Sequence, residues 1–355
     1  MKRKLMATVL MTAMAVMTIA GCGSSEGNAG SAGNGDSSGS QAQGDGAVYK
    51  VGIVQFVDDA SLNQIEQAIE AELDAKGAEL GVTFNYADYT YNGQADSSTL
   101  NQIAADLVAE QVDVIIPIAT PAAMIMQNAT EENQIPVVFS AVSDPVGAGL
   151  VASMEAPGAN ITGTSDALDT QAVLNLIMAA NPQTTKLGLL YCKSEPSSDA
   201  PIAEAIAFCE ANGIAYVEKT GTTVAELSAG ADALVAEGVD AVFTPTDNTV
   251  MTAELAIYEK FIEAGIPHYA GADSFALNGA FCGYGVNYSQ LGVATADMAV
   301  EILLGASPAT TAVRTLDNGI ATINIETAQA IGLEYSMFAD MCEELKEITT
   351  AKEFE

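Results

Sequence analysis

Short apolar runs and amphipathic stretches alternate along the chain from about residue 48 onward. Lys50–Phe56 (KVGIVQF) is short, β-branched and apolar, the pattern of a strand buried on both faces. Leu62–Leu80 puts Leu62, Ile65, Ile69, Leu73 and Leu80 on one side and meets Gly81, which predicts a helix and its stop. Val82–Ala87 predicts a second strand, and Asp88–Asp96 (DYTYNGQAD) a loop rich in Tyr and amides. Leu100–Val108 has helical spacing, Val112–Pro121 (VDVIIPIATP) reads as a strand running into a small polar turn, and Pro121 opens a helix to about Thr130. Ile135–Phe139 closes the series as a fourth strand.

The same order then returns. VDVIIPIATP is echoed 127 residues later by Val239–Asn248 (VDAVFTPTDN), each after an Ala-Glu-x lead-in. Lys186–Cys192 (KLGLLYC) matches the first strand at an offset of 136. Ala203–Ala211, Gly213–Val217, Val224–Ala236, Asn248–Ala264 and Ile266–Ala270 repeat the helix and strand succession. Apolar strands alternating with helices predict an α/β fold of two Rossmann-like lobes, each with a parallel sheet covered on both faces. Small polar or Gly-rich segments at Ala156–Asp166, Gly283–Gln290 and Thr310–Val313 predict three crossings between the lobes. They divide the chain into a first lobe of 48–162 and 288–312 and a second of 163–287 and 313–355. The helix Leu291–Leu304 is expected to pack back on the first lobe.

Right-handed crossovers put every strand-to-helix loop at one edge of its sheet, where ligands of open α/β sheets bind. In the first half those loops are Gln55–Ser61, Asp88–Gln94, Ala119–Ala122 and Ser140–Pro145. In the second half they are Lys193–Ser198, Thr246–Thr249 and Gly271–Ser274. Thr120 and Asp247-Asn248 stand where helix N-termini offer free N–H groups to a small anion, though Thr, Asp and Asn are also ordinary caps. Asp144, Glu195, Asp247 and Asp273 can pair with an ammonium group. Gln55, Phe56 and Gln94 add amides and a stacking ring from the first-half loops; with no Trp in the chain, an aromatic ligand would stack on Phe56 or a Tyr.

The first 47 residues break the pattern. Lys2, Arg3 and Lys4 precede a mostly apolar run to Ala20 that is too short to span a membrane. This predicts a signal peptide over 1–21. Gly23–Gly46 is Gly, Ser, Asn, Asp, Gln and Ala with Glu26, a composition with nothing to bury, which predicts a tether over 22–47. Charge adds one exclusion. The 355 residues carry a net charge of −34, and removing the three basic residues of the signal leaves −37, which repels nucleic acid. Cys192, Cys209, Cys282 and Cys342 show no metal spacing, and buried thiols are the default for them. His268, the only histidine, follows Ile266-Pro267 at a strand start and reads as structural. A metal site or a Ser-His-Asp triad therefore has little to be built from, no cofactor is expected, and an enzyme is the least favoured class.

Ile19-Ala20-Gly21-Cys22 resembles a bacterial lipobox, which implies cleavage before Cys22 and diacylation of its sulfur. The body resembles the ABC-transporter solute-binding lipoproteins of the aromatic amino-acid (tryptophan and tyrosine) type. The segments that carry the resemblance are GIVQFVDDASL (Gly52–Leu62), LNQIAADLVAEQVDVIIPIATPAA (Leu100–Ala123), IPVVFSAVSDPVGAGLV (Ile135–Val151), PGANITGTSD (Pro157–Asp166), VFTPTDNTV (Val242–Val250) and GVNYSQLGVATADMAVEIL (Gly285–Leu303). The resemblance implies a periplasmic-binding-protein type I fold with a three-strand hinge. It implies a monomeric clamp that closes on a small zwitterion and passes it to an ABC permease, held at the membrane by its lipid alone. By the family pattern Thr120, Ser140, Asp144, Ser165, Asp247, Asn248 and Asp273 stand at the ligand, with Glu195 of SEPSS in the equivalent second-lobe loop. A neutral polar cargo such as a sugar or nucleoside, or a sensory module reporting to a receptor, are the competing expectations.

Overall fold

The computed structural model describes residues 46–351 and Glu353. The expected signal peptide, nearly all of the tether and Cys22 lie outside the described residues. The tether was expected to reach residue 47. The folded body already begins at Gly46, whose N–H donates to the Gly81 carbonyl at 2.9 Å, while Ala47 accepts from Thr83 N at 2.8 Å.

The first lobe opens with β1 (Val48–Gln55), α1 (Ala60–Leu80), β2 (Thr83–Asn85), β3 (Thr90–Asn92), α2 (Ser97–Ala109), β4 (Val114–Ile118), α3 (Thr120–Thr130), β5 (Val137–Phe139) and β6 (Ile161–Ser165). The second follows with α4 (Thr170–Ala180), β7 (Lys186–Tyr191), α5 (Asp199–Asn212), β8 (Ala215–Thr220), α6 (Val224–Glu237), β9 (Ala241–Thr244), α7 (Asn248–Ala264), β10 (His268–Ala270), α8 (Asp273–Leu277) and β11 (Cys282–Gly285). The chain returns with α9 (Tyr288–Leu303) and β12 (Arg314–Thr315), and ends on β13 (Ile320–Asn324), α10 (Ile325–Ile331) and β14 (Glu344–Ile348). Among the described residues these strands form two sheets, ordered β12-β6-β5-β4-β1-β2 with β3 also on β1, and β14-β13-β11-β10-β9-β7-β8. All pairings are parallel except β11 with β13.

The internal repeat is realised bond for bond. Lys50 Nζ donates to the Glu110 carbonyl at 2.7 Å, and Lys186 Nζ to the Glu237 carbonyl at 2.7 Å. The aspartate of each Val-Asp pair holds the neighbouring strand near its beginning: Asp113 Oδ2 accepts from Lys50 N at 2.7 Å, and Asp240 Oδ2 from Lys186 N at 2.9 Å. The Ala-Glu-x-Val-Asp lead-in is therefore an anchoring device used once per lobe.

Two differences from the sequence reading concern the hinge, and a third concerns β3. Strand β6 stays in the first sheet to Ser165, three residues past the expected boundary at 162, because it finds a partner in β12 (Arg314↔Thr164, Thr315↔Ser165). For the same reason the last crossing comes after Thr315, between Leu316 N, which donates to Ser165 O, and Gly319 N, which donates to Gly285 O. The stretch read as a loop contains β3, half-buried beside β1 through Ile53↔Thr90 to Gln55↔Asn92. Helix α9 packs on α1 as expected, so closely that a Cβ on Gly292 would meet the Ile65 carbonyl at 2.5 Å. One hydrophobic cluster runs from the first lobe into the second, joining Leu62, Ala119 and Ala141 to Met251, Ala272 and Phe275. The two lobes are closed on each other.

Candidate functional site

The carboxyl ends of the two sheets face a narrow cavity between the lobes. About 390 Å³ of space lies between its walls, of which the centre of a water molecule can visit only about 20 Å³. The first lobe contributes Asp59, Ser61 and Leu62 after β1, Ala119 and Thr120 after β4, and Ala141 and Ser143 after β5. Asp166, just past β6, and Tyr288, at the start of α9, form the hinge wall. The second lobe contributes Ser197, Thr246, Asp247, Asn248 and Met251 on one side and Ala272, Ser274 and Phe275 on the other.

Helix starts dominate this geometry. At α7 the N-terminus is filled twice. Asp247 Oδ1 accepts from Thr249 N and Val250 N at 3.0 and 2.9 Å, and its Oδ2 from Cys192 N and the Ser198 hydroxyl, both at 2.7 Å. Glu195 accepts from Asn248 N (2.9 Å), Asn248 Nδ2 (3.1 Å), Thr249 N (2.8 Å) and the Thr249 hydroxyl (2.7 Å). At α1 Asp59 Oδ1 accepts from Ser61 N and Leu62 N at 2.9 and 3.1 Å, but its Oδ2 is buried without a partner. At α3 no side chain caps the helix at all. Ala119 precedes it with φ 81° and ψ 152°, a conformation costly for any residue but glycine.

The cavity carries carboxylates and no basic side chain. Burial, with some repulsion from Asp273, pushes the Asp59 carboxyl up to about 7 against the pull of the Leu62 N–H. The Ser274 hydroxyl across the gap pulls the same way as that N–H, yet neither it nor Asp59 Oδ2 completes a hydrogen bond. Burial raises Asp166 to about 6 although the Ser143 hydroxyl donates to its Oδ1 at 3.0 Å. Asp247 is also raised, first by burial and then by Glu195. Such groups gain most from a cation brought into the cavity. Among the described residues no cluster of His, Cys, Asp and Glu is arranged to hold a metal ion.

A polar latch closes the rim. The Ser61 hydroxyl donates to Asp273 Oδ1 at 2.5 Å and accepts from Ser274 N at 3.1 Å, and Gln64 Nε2 donates to Asp273 Oδ2 at 3.2 Å. These bonds join α1 of one lobe to α8 of the other.

Of the residues singled out from sequence, Thr120, Asp247 and Asn248 line the cavity. Asp273 serves the latch, and Glu195 stands behind the start of α7. The others do not reach the cavity. Ser140 lies beneath the floor, its hydroxyl 2.9 Å from that of Thr295 and 3.4 Å from that of Thr164. Asp144 caps its own turn through Gly147 N at 2.7 Å. Ser165 accepts from Ala167 N and donates to the Ser143 carbonyl. Gln55 turns away to donate to Asn63 Oδ1 at 2.7 Å in a separate outer groove. Phe56 is packed into the core, and Gln94 is exposed at a positive-φ turn. The aromatic rings at the cavity are Phe275, in the first turn of α8, and Tyr288, at the start of α9; with Met251 they were missed because all three lie on helices and not in the loops. Asp59 and Asp166 fell within the right segments, but nothing in their residue type separates them from caps.

Behind Phe275 stands His268, whose ring centroid is 6.1 Å from that of Phe275 and 5.3 Å from that of Phe261. Its Nδ1 is 3.0 Å from Glu254 Oε1 and its Nε2 2.8 Å from the Thr244 hydroxyl, the structural role its position implied. The four described cysteines are free thiols, Cys192, Cys209 and Cys282 buried and Cys342 half-buried.

Residues 50–338 match the family described as ABC transporter substrate binding protein. The chain belongs to this family. Its fold is of the periplasmic-binding-protein type I, and its working partners are a small-molecule ligand and an ABC transport system. This substrate-binding protein is 30% identical over 351 residues to the tyrosine-binding protein of Clostridioides difficile, with 99% of this chain and 98% of that one covered. It superposes on a Streptococcus pneumonia ABC domain in complex with L-Trp at a TM-score of 0.78 and 30% identity, over 84% of this chain and all of that one. Against a ligand-free, open substrate-binding protein from Clostridium difficile the TM-score is 0.65 at 31% identity, over 85% of this chain and all of that one. At nearly equal identity the better match is the ligand-bound form, in keeping with the closed lobes seen here. Among the described residues no helix is long and apolar enough to cross a membrane.

Proposed function

We propose that this substrate-binding protein captures an aromatic amino acid, closes over it, and presents it to an ABC permease at the outer face of the cell membrane. The observation that carries this reading is a cavity rich in buried carboxylates, without a basic side chain, beside a helix N-terminus that no side chain caps. An ammonium group answers the first and a carboxylate the second. Leu62, Met251, Phe275 and Tyr288 supply apolar and aromatic surface for the ligand's side chain. The ligands named for two relatives, tyrosine and L-Trp, agree with that chemistry. Thr120 and Asn248 are then ligand contacts, while Asp247, Glu195 and Asp273 act by holding the jaws. A sugar or nucleoside offers no charge to these groups.

Calorimetry with the common amino acids, sugars and nucleosides tests the reading. Heat is expected with tyrosine, tryptophan or phenylalanine. Heat with a sugar or nucleoside and with no amino acid would overturn it. The anchor belongs to the same proposal: residues 1–21 are removed and Cys22 is acylated, with the following residues as the spacer. Metabolic labelling with a fatty-acid probe should mark the protein, and Cys22→Ala should abolish the label and release the protein from the membrane.

A further inference from the structure

Resting on the reading of the cavity as an amino-acid site, we infer that Asp59, and not Asp247, receives the ligand's ammonium group, so that the first lobe alone holds the charged head while the second reads the side chain. Asp247 has no acceptor to spare, since each of its oxygens already takes two hydrogen bonds. Asp59 is only 6% exposed, lines the cavity, and keeps Oδ2 without a partner. A buried carboxylate oxygen left unpaired is costly, and its desolvation is offset only when a donor arrives.

The topology puts the matching anion site next door. Strands β1 and β4 are neighbours in register, Gln55 opposite Ile118, and Phe56 N donates to the Ile118 carbonyl at 3.2 Å. Asp59 follows β1, and the uncapped start of α3 follows β4 directly. The ammonium and carboxylate of an α-amino acid are separated by one carbon, so adjacent loops of one sheet suit them better than opposite lobes do. The groups that face this head from the second lobe are Ser274, whose hydroxyl is also buried without a partner, and the apolar Met251 and Phe275. Capture therefore proceeds head first: the zwitterion docks on the first lobe, and closure brings Ser274 and the apolar wall over it.

The test compares L-tyrosine with its des-amino analogue, 3-(4-hydroxyphenyl)propionate, on the full-length chain in detergent. Asp59→Asn keeps an N-cap side chain and removes the charge. It should weaken L-tyrosine on the order of 10- to 100-fold while changing the analogue little, which collapses the preference between the two. Asp247→Asn should lower the melting temperature and leave that preference intact. The assignment is overturned if Asp59→Asn retains the wild-type preference, or if Asp247→Asn or Asp166→Asn collapses it while Asp59→Asn does not. A wild-type chain that binds no aromatic amino acid overturns the amino-acid reading itself, and this assignment with it. Unchanged circular dichroism and melting of Asp59→Asn separate a lost contact from a lost fold.

Discussion

Strands β4 and β9 hold equivalent places in their sheets, yet the helices that follow them start under opposite conditions. Helix α7 receives two carboxylates, Asp247 and Glu195, which between them accept nine hydrogen bonds. Helix α3 receives none and is led in by a strained alanine. The same duplicated element has become a rigid abutment in one lobe and an unfilled electrostatic seat in the other. A helix N-terminus at a cleft is therefore informative only together with the question of what already occupies it.

The largest effect should come from emptying the filled end. Glu195→Ala strips five acceptor contacts from buried or half-buried groups and is expected to cost about 3 kcal/mol of stability in urea denaturation, from the cap and the stranded donors together. A loss under about 1 kcal/mol would show that α7 is held by other means.

Next comes pH. Asp59 and Asp166 are raised to about 7 and about 6 in the folded chain, against an unfolded aspartate near 3.8. The folded state then binds more protons between those values, so their contribution is full below about 3.8 and is lost as pH rises through 6 to 7. Through Asp59 alone ligand-free stability should fall by about 2 kcal/mol from pH 5 to 7, with about 1 kcal/mol more from Asp166, levelling off only above about pH 8, and Asp59→Asn should flatten the slope. The groups facing these carboxyls are Asp273, Asp247 and the buried Tyr288, none of which supplies a compensating cation. An ammonium ligand favours the ionised form, so the melting shift it produces should grow over the same range. A ligand-free melting temperature that climbs from pH 5 to 7 would contradict this.

The latch comes third. Asp273→Ala, at a residue outside the cavity wall, removes the acceptor of Gln64 and of the wall residue Ser61, and should open the ligand-free protein and weaken ligand binding about tenfold. Small-angle scattering should show a larger radius before ligand is added; an unchanged radius and affinity would mean that apolar contact alone closes the lobes. The smallest effect should be Ala119→Gly, which relieves the backbone before α3 and should raise stability by about 1 kcal/mol with the seat left open. A destabilised Gly variant would mean that the alanine methyl contributes more by packing than its backbone costs.

Most of the fold was legible because buried parallel strands are written in β-branched runs and their helices in one-sided apolar spacing. Asn248–Ala264 came out to the residue, and the repeat at offset 127 located both central strands. What escaped was short or edge-like: β3, whose residues are all half-buried, and β12, two residues whose pairing depends on a distant partner. The site was legible as a set of loops, not as a set of roles. Asp59, Asp144 and Asp247 each follow a strand end, and each accepts from backbone N–H groups near it in the chain. Only the burial and vacancy of a second oxygen distinguish Asp59, and that is decided by Ser274 and Phe275, more than 210 residues away.

The solitary histidine gives the closed lobes a voice. His268 contributes the only imidazole in the chain, its ring meets Phe275 edge-on, and Phe275 forms part of the cavity wall. A ligand ring seated on that wall alters the magnetic shielding felt one residue behind it. A single pair of imidazole resonances, free of overlap and requiring no label or mutation, thus reports each capture and release from inside the native protein.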